Sequence, residues 1–457
     1  MKVLLVHPRA DRATIGLQHV MLVEPLELEV LGALTQAPFE PVILDMQLEQ
    51  RSLRWHLREQ KPRVLAMTGY ITNVPAMLRA CRQAKAMIPG ITTVAGGVHC
   101  EVCPEDLDDP AVDFRVVRNA TRAWPDLLEH IAGQRHLPAG VLRPGQPLIE
   151  AELPELDFFY PRPARHLVER YRDRYFYIFH DRVALLKTAF GCPYRCSFCF
   201  CRRVTRDRYQ ERPLADVLDE LEALPQREIY IVDDDFLVSR KRVIAFLDGL
   251  TERGIDKHWL LYGRADFIAD NPDLVERFQR QGLRTVIVGF ESFQEADLQR
   301  YDKGSSLAQN EAAMGALNCL GIDCFATIIL HPDWDRADFA ACGTWMRRMG
   351  IRYVNLQPLT PLPGTGSAVD DEDLLIPRSD LARWDLAHLM VQPGKLSQAE
   401  YYDQLIKLYM GTLYKPKDLY DYARRYPPRM LGKMIAGTWR VRRQYLAKRR
   451  AARKAGV

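Results

Sequence analysis

The sequence predicts an α/β protein: two parallel-sheet domains in series, then a helical region at the C-terminus. Three observations carry this. From Lys2 to about residue 132, short aliphatic and β-branched runs alternate with amphipathic stretches of helical period. The same alternation begins again at Val183 and runs to Leu356. Between the two, Pro147, Pro154, Pro161 and Pro163 interrupt any long element. The first pattern predicts a doubly wound, Rossmann-like sheet, and the second a partial (β/α)6 barrel open on one side. The expected boundaries are 1–145 for the first domain, 146–182 for a linker, 183–370 for the barrel and 371–457 for the helical region.

In the first domain, strands are expected over Lys2–Val6, Pro41–Asp45, Val64–Thr68, Thr92–Ala95 and Val112–Val117. Helices are expected over Pro25–Thr35, Pro75–Met87 and Trp124–Ala132. Such sheets take ligands beyond the carboxyl ends of their strands. Two loops there are candidates: Thr68-Gly69-Tyr70-Ile71-Thr72 and Gly96-Gly97-Val98-His99. Glycines permit close backbone approach, and Thr hydroxyls can bond a phosphate or amide. An ordinary strand-to-helix turn reads the same way. The following H-C-x-x-C, His99 to Cys103, could hold a metal but shows no further ligand nearby, which favours buried cysteines.

The barrel strands are expected at Val183–Phe190, Glu228–Val232, Trp259–Gly263, Thr285–Gly289, Asp323–Leu330 and Tyr353–Leu356. The intervening helices are Leu214–Leu224, Val243–Arg253, Pro272–Gln281, Leu307–Leu320 and Asp338–Met349. Polar residues recur at the carboxyl ends of these strands, where barrels keep their chemistry. They include Asp233-Asp234-Asp235, Arg264, Glu291 and His331. Three adjacent acids also suit a solvated turn. Leu362-Pro363-Gly364-Thr365-Gly366 is not a phosphate loop, because no Lys-Ser/Thr follows.

The sharpest feature follows the first barrel strand. Phe190-Gly191-Cys192-Pro193-Tyr194-Arg195-Cys196-Ser197-Phe198-Cys199 spaces three cysteines as C-x3-C-x2-C, with Cys201 close behind. One tight loop can aim three thiolates at this spacing toward a common centre, and thiolates are the ligands of iron–sulfur clusters. A structural zinc site usually shows two C-x-x-C pairs or a Cys/His set, and no second pair occurs here.

The stretch GCPYRCSFC resembles the signature of radical S-adenosylmethionine (SAM) enzymes, in the branch that carries an N-terminal cobalamin-binding domain. The resemblance implies that Cys192, Cys196 and Cys199 hold a 4Fe-4S cluster, leaving one iron open to the amino and carboxylate groups of SAM. It implies a partial barrel, with Asp234, Arg264, Glu291 and Lys303 at SAM-binding positions and Glu291 matching a ribose-binding glutamate. It also implies cobalamin in the first domain, facing the barrel mouth and contacted by Thr68, Gly69, Tyr70, Thr72, Gly96 and Gly97. An external one-electron reductant would be needed to start the cycle.

Two departures from the family stand out. The D-x-H-x-x-G motif that places a histidine under cobalt is absent from residues 1–145. Arg118-Asn119-Ala120-Thr121 replaces a turn that is commonly rich in Gly and Glu.

Composition bounds the rest. With 457 residues and 47% hydrophobic content the chain can form two or three cores. No apolar run reaches membrane-span length, and Met1–Pro8 lacks a signal-peptide h-region, so a cytoplasmic protein is expected. Ten cysteines in that compartment do not form a disulfide framework.

Asp421–Val457 holds 12 Lys/Arg against one Asp, so the net charge of +4 conceals an acidic body. This tail either frays as a solvated helix or lies peripherally on an anionic membrane. No nucleic-acid recognition module accompanies it. Helices are expected at Leu381–Val391 and Gln398–Leu413, with Tyr401, Tyr402, Tyr409 and Tyr414 forming an aromatic-rich cap.

The expected function is methylation of an unactivated carbon, or phosphorus, in a small or lipid-like metabolite. The alternative is a cyclisation, ring rearrangement or oxidation on the same architecture.

Overall fold

The computed structural model describes residues 1–16, 19–367, 369–413 and 416–456. The chain divides into two compact units. One comprises residues 1–14, 24–174 and 379–385, and the other 15–23, 175–378 and 386–457.

The first unit is the doubly wound sheet. Its elements are β1 (Lys2–His7), α1 (Leu26–Leu34), β2 (Glu40–Asp45), α2 (Leu53–Gln60), β3 (Val64–Thr68), α3 (Val74–Met87), β4 (Thr92–Gly96), α4 (Val98–Val102), β5 (Phe114–Val116), α5 (Ala120–Ile131) and β6 (Val141–Leu142). The strand order is β2-β1-β3-β4-β5-β6, parallel except for β6. The order reverses between β1 and β3, which opens a crevice at their carboxyl ends. Leu4, Val6, Leu65, Met67 and Ala95 fill one face against Met77, Cys81 and Ala84 of α3.

Two expected helix assignments change here. Helix α2 was not expected, although Ser52 caps it by accepting from Trp55 N and Leu53 and Leu57 are buried. Helix α5 starts at Ala120 rather than Trp124, so Pro125 lies inside its early turns.

Much of the expected linker belongs to this unit. Arg118 donates to Pro154 O (3.0 Å) and Glu150 (3.1 Å), Asn119 to Glu155 O (2.6 Å) and Thr121 to Phe159 O (2.9 Å). The loop that departs from the family pattern thus clasps residues 150–159.

The second unit contains β7 (Ala184–Leu186), α6 (Cys201–Thr205), α7 (Leu214–Glu222), β8 (Glu228–Ile231), α8 (Arg240–Glu252), β9 (His258–Tyr262), α9 (Ala265–Asp270), α10 (Pro272–Arg280) and β10 (Leu283–Glu291). These are followed by α11 (Glu295–Arg300), α12 (Leu307–Cys319), β11 (Asp323–Leu330), α13 (Arg336–Arg348) and β12 (Tyr353–Pro358). Six parallel strands run β7-β8-β9-β10-β11-β12 in sequence order, as expected of a partial barrel. Trp259, Phe246 and Phe278 anchor the core between strand and helix layers. The first strand is shorter than expected: after β7 the chain turns at Thr188, and Ala189–Phe190 pairs with Gln210–Glu211.

Three C-terminal helices complete the unit: α14 (Gln398–Leu413), α15 (Pro416–Arg425) and α16 (Pro428–Ala455). Helix α14 covers the edge strand β12, where the Tyr409 hydroxyl accepts from Leu356 N (2.9 Å) and donates to Leu356 O (3.2 Å). Covering an edge removes a template for stray pairing. Tyr401 donates to Leu330 O, and Tyr402 accepts from Leu389 N. These tyrosines are core and staple residues; Tyr414 lies outside the described residues. Phe179 stacks on Tyr426 at 3.9 Å beside Tyr353 and Tyr422, an aromatic cluster at the amino-terminal start of β12.

The helix expected at Leu381–Val391 does not form. Only Leu381–Arg383 makes a short 3-10 turn, and Leu381 enters the core of the first unit. Leu389 packs in the core of the second unit, and Met390 O accepts from Leu375 N. Apolar spacing here reflects separate burials rather than one helical face.

Candidate active site

The cysteine loop leaves Phe190 through Gly191, whose φ is +75°. A Cβ there would clash with Arg208 O and lie 2.8 Å from Thr205 Oγ1, so the turn requires glycine. Ser197, inside the loop, is held from two sides: its N donates to Tyr301 O (2.9 Å), and its O accepts from Gly366 N (2.8 Å). Cys199 N bonds Cys196 O (3.2 Å).

Burial pushes the Cys192 thiol up to about 12 and also raises Cys196, which Lys303 and Arg264 pull back down. The Cys201 thiol bonds the Cys199 sulfur, which raises Cys201 and lowers Cys199. Cys201 also reaches Asp234.

The three aspartates after β8 have three different tasks. Asp233 is buried and accepts from Thr188 N (2.7 Å), Ala189 N (3.0 Å) and the Thr188 hydroxyl. It therefore fixes the backbone that leads into the cysteine loop. Asp234 lies between them in sequence and faces Cys201. Asp235 is 2% exposed, and its Oδ2 has no hydrogen-bond partner among the described residues. Burial raises it to about 7 despite the Arg264 guanidinium. The solvated-turn reading fails for Asp233 and Asp235. In the turn after β8, Asp233 and Asp235 are buried and Asp234 between them is half-buried. The resemblance points to Asp234, and the structure adds Asp235 beside it as a buried carboxylate with an unpartnered oxygen.

Arg264, Glu291 and Lys303 come together. Lys303 Nζ donates to Glu291 Oε1 at 3.0 Å in a buried pair. Burial works against the Lys303 ammonium, but Glu291 and the Cys196 sulfur more than offset it and leave its pKa raised. Glu291 ends β10 at φ +64°, where the pairing with β11 slips by one residue. A bulge of this kind re-aims a side chain and is common beside active sites.

Gly289 makes room for this arrangement. A Cβ there would clash with Glu291 Oε1 and sit 2.8 Å from Lys303 Nζ. Arg264 is committed within the chain: it bonds Asp266 (2.8 Å) and Lys303 O (2.6 Å), lies 3.9 Å from Cys196 Sγ, and covers the Tyr194 ring at 3.7 Å. Its geometry suits a brace between the cysteine loop and the Lys303 loop.

In the first unit, Thr68, Gly69, Gly96 and Gly97 meet at the carboxyl ends of β3 and β4. Gly97 has φ +93°, and a Cβ there would clash with Thr68 Oγ1 and lie 2.8 Å from Gly69 N. The two loops thus touch through backbone and form one shelf. Tyr70 beside it is 58% exposed, and Thr72 lies in the adjoining 3-10 turn, Ile71–Asn73. His99 N bonds Gly69 O (3.4 Å), and His99 Nε2 pairs with Asp106 Oδ2 at 2.7 Å. Asp106 is the partner that the H-C-x-x-C stretch lacked in sequence; with Cys103 it makes a three-ligand group. The His99–Asp106 pair satisfies the histidine as it stands and braces the loop.

These features define an enzyme with a doubly wound α/β sheet and a partial barrel whose first strand leads into a loop of three cysteines. The B12 binding domain family matches residues 16–128, and the radical SAM superfamily matches residues 186–344. The chain belongs to the cobalamin-dependent radical SAM enzymes.

It is 29% identical to the hopanoid C-3 methylase of Methylococcus capsulatus over 91% of this chain and 80% of that protein. It is 27% identical to the anaerobic magnesium-protoporphyrin IX monomethyl ester cyclase of Rubrivivax gelatinosus over 64% of this chain and 55% of that one. The fold matches the methyltransferase TsrM from Kitasatospora setae with TM-score 0.65 at 18% identity, covering 99% of both chains. It also matches the cobalamin-dependent radical enzyme OxsB with TM-score 0.69 at 14% identity, covering 97% of this chain and 72% of that one.

Its cofactors are a 4Fe-4S cluster, SAM and cobalamin. The residues present fit them. Three thiols on one pinned loop are a soft donor set for iron. Asp235 Oδ2 is an orphaned buried acceptor suited to an ammonium group. Gly97 lets the loops after β3 and β4 close against each other at the strand carboxyl ends, where such sheets take ligands.

Proposed function

We propose that the protein methylates an unactivated carbon of a lipid-like metabolite of the hopanoid class. The observation that carries this is the likeness to the hopanoid C-3 methylase, which extends through nearly the whole chain, both cofactor regions included. A second, weaker likeness, at 24% over 56% of the chain, is to the hopanoid C-2 methylase of Rhodopseudomonas palustris.

In this reading Cys192, Cys196 and Cys199 hold the cluster. Asp235 accepts from the SAM ammonium, because one oxygen of this buried carboxylate lacks a hydrogen-bond partner beside Cys192 and Tyr194. Glu291, aimed by the bulge, accepts from the ribose hydroxyls. Lys303 holds Glu291 in place and supplies positive charge beside Cys196. Arg264 fixes both loops. Asp234 bears on Cys201 rather than on SAM. In the first unit Thr68, Gly69, Gly96 and Gly97 present backbone and hydroxyl groups to cobalamin, with Tyr70 and Thr72 at the rim.

When bound, these groups supply radical hydrogen abstraction and a transferable methyl group. The protein's own residues orient them and exclude water. An external one-electron reductant serves the cluster.

The second reading keeps the radical chemistry without methyl transfer, as the likeness to the magnesium-protoporphyrin cyclase suggests. Anaerobic assays with methyl-labelled SAM and a hopanoid extract separate the two. Labelled product with 5′-deoxyadenosine supports methylation. Deoxyadenosine with an unlabelled, altered product supports the second reading.

A further inference from the structure

We propose that the outward face of α16 docks the enzyme on an anionic membrane surface. Residues 428–457 contain ten Lys/Arg and no Asp or Glu. The inward side of α16 is occupied: Met430, Gly437, Tyr445 and Ala452 are buried, and Tyr445 stacks on Tyr409. Part of the charge is also spent inward, since Arg449 and Arg453 pair with Asp403 (both 2.7 Å) and Lys433 pairs with Asp181 (3.6 Å).

The opposite stripe is different. Ile435 is 47% and Trp439 46% exposed, one helical turn apart, with exposed Gly432 and Ala436 beside them. Along the same stripe toward the C-terminus lie Arg443, Arg450 and Lys454, which have no acidic partner among the described residues. The Arg442 guanidinium covers the Trp439 ring at 4.8 Å.

An interfacial helix needs this combination: an apolar tip with an indole for the headgroup boundary and unpaired cations for acidic lipid. The helix is not apolar enough to cross a bilayer. Charge complementarity selects anionic lipid as the occupant, because an uncharged apolar partner would leave the arginines desolvated and unpaired. The docking stands on this helix alone and does not depend on which substrate is methylated.

The test uses the full chain, vesicle co-sedimentation and no turnover. Vesicles of roughly one-third phosphatidylglycerol should bind the protein at low salt, and pure phosphatidylcholine should not. R443E/R450E should lower the bound fraction by about tenfold or more. I435S/W439S should remove the binding that survives high salt, and W439F should remove a blue shift of tryptophan emission on lipid. Both double variants change exposed positions, and circular dichroism confirms their folding. Absence of binding to anionic vesicles overturns the proposal, as does binding indifferent to R443E/R450E. Self-association or RNA binding that depends on this stripe, without vesicle binding, overturns it equally.

Discussion

The Glu291 carboxylate and the Lys303 ammonium meet at 3.0 Å across a gap that the missing side chain of Gly289 keeps open. A methyl group at position 289 would occupy the place of the Glu291 oxygen. Gly289→Ala should therefore displace the pair and weaken SAM binding at least about tenfold, or about 1.4 kcal/mol. The cluster should be retained. Equilibrium dialysis with SAM and iron analysis on the same sample check both halves.

The three cysteines proposed to hold the cluster and their neighbour Cys201 should behave differently. Alanine at Cys192, Cys196 or Cys199 should abolish iron and sulfide retention after anaerobic reconstitution. Cys201→Ala should retain the cluster, since the Cys201 thiol bonds the Cys199 sulfur without replacing it. Iron content and the cluster's visible absorption distinguish the two outcomes.

Asp235 should make cluster-free, SAM-free protein sensitive to pH. Its carboxyl is raised from 3.8 to about 7, so the folded state favours the protonated form. Its contribution to stability is full below the unfolded value and is lost as pH rises through about 7. The span corresponds to about 4 kcal/mol at most. Asp235→Asn should raise the thermal midpoint at about pH 8 and leave it nearly unchanged at acidic pH, as scanning calorimetry would show.

Gly97→Ala should remove cobalamin without disturbing the barrel. The new Cβ would crowd Thr68 and Gly69 and force a non-glycine residue to φ +93°. Strain of this kind costs about 1–3 kcal/mol and opens the shelf. Cobalamin retained after gel filtration should fall sharply while iron content stays at the wild-type level.

Tyr409→Phe should destabilise the second unit by about 1–2 kcal/mol, since its hydroxyl bonds both the N–H and the carbonyl of one edge residue. Denaturant unfolding measures this.

Much of this architecture was legible because it depends on local pattern. Each barrel strand combines an apolar run with a polar residue at its carboxyl end, and the C-x3-C-x2-C spacing marks the loop that the structure pins through Ser197. What escaped depended on three-dimensional context. Asp233, Asp234 and Asp235 are identical in composition, and only the exit geometry of β8 decides which is buried. The helix expected from Trp124 begins at Ala120, because Pro125 falls early enough in it to be tolerated inside its first turns. Leu381 and Leu389 read as one helical face because sequence spacing does not reveal that they enter different cores. The Arg118–Thr121 loop read as a departure in a ligand turn, whereas its side chains hold a distant segment of the same unit.

Ser197 carries a consequence for biosynthesis. Its two backbone bonds go to Tyr301 and Gly366, both far downstream on the ribosome's schedule. The nascent cysteine loop therefore cannot take its finished shape until nearly the whole barrel has been translated. Cluster delivery thus fits a chain whose last barrel strand is already in place, and products truncated before Gly366 should stay iron-free.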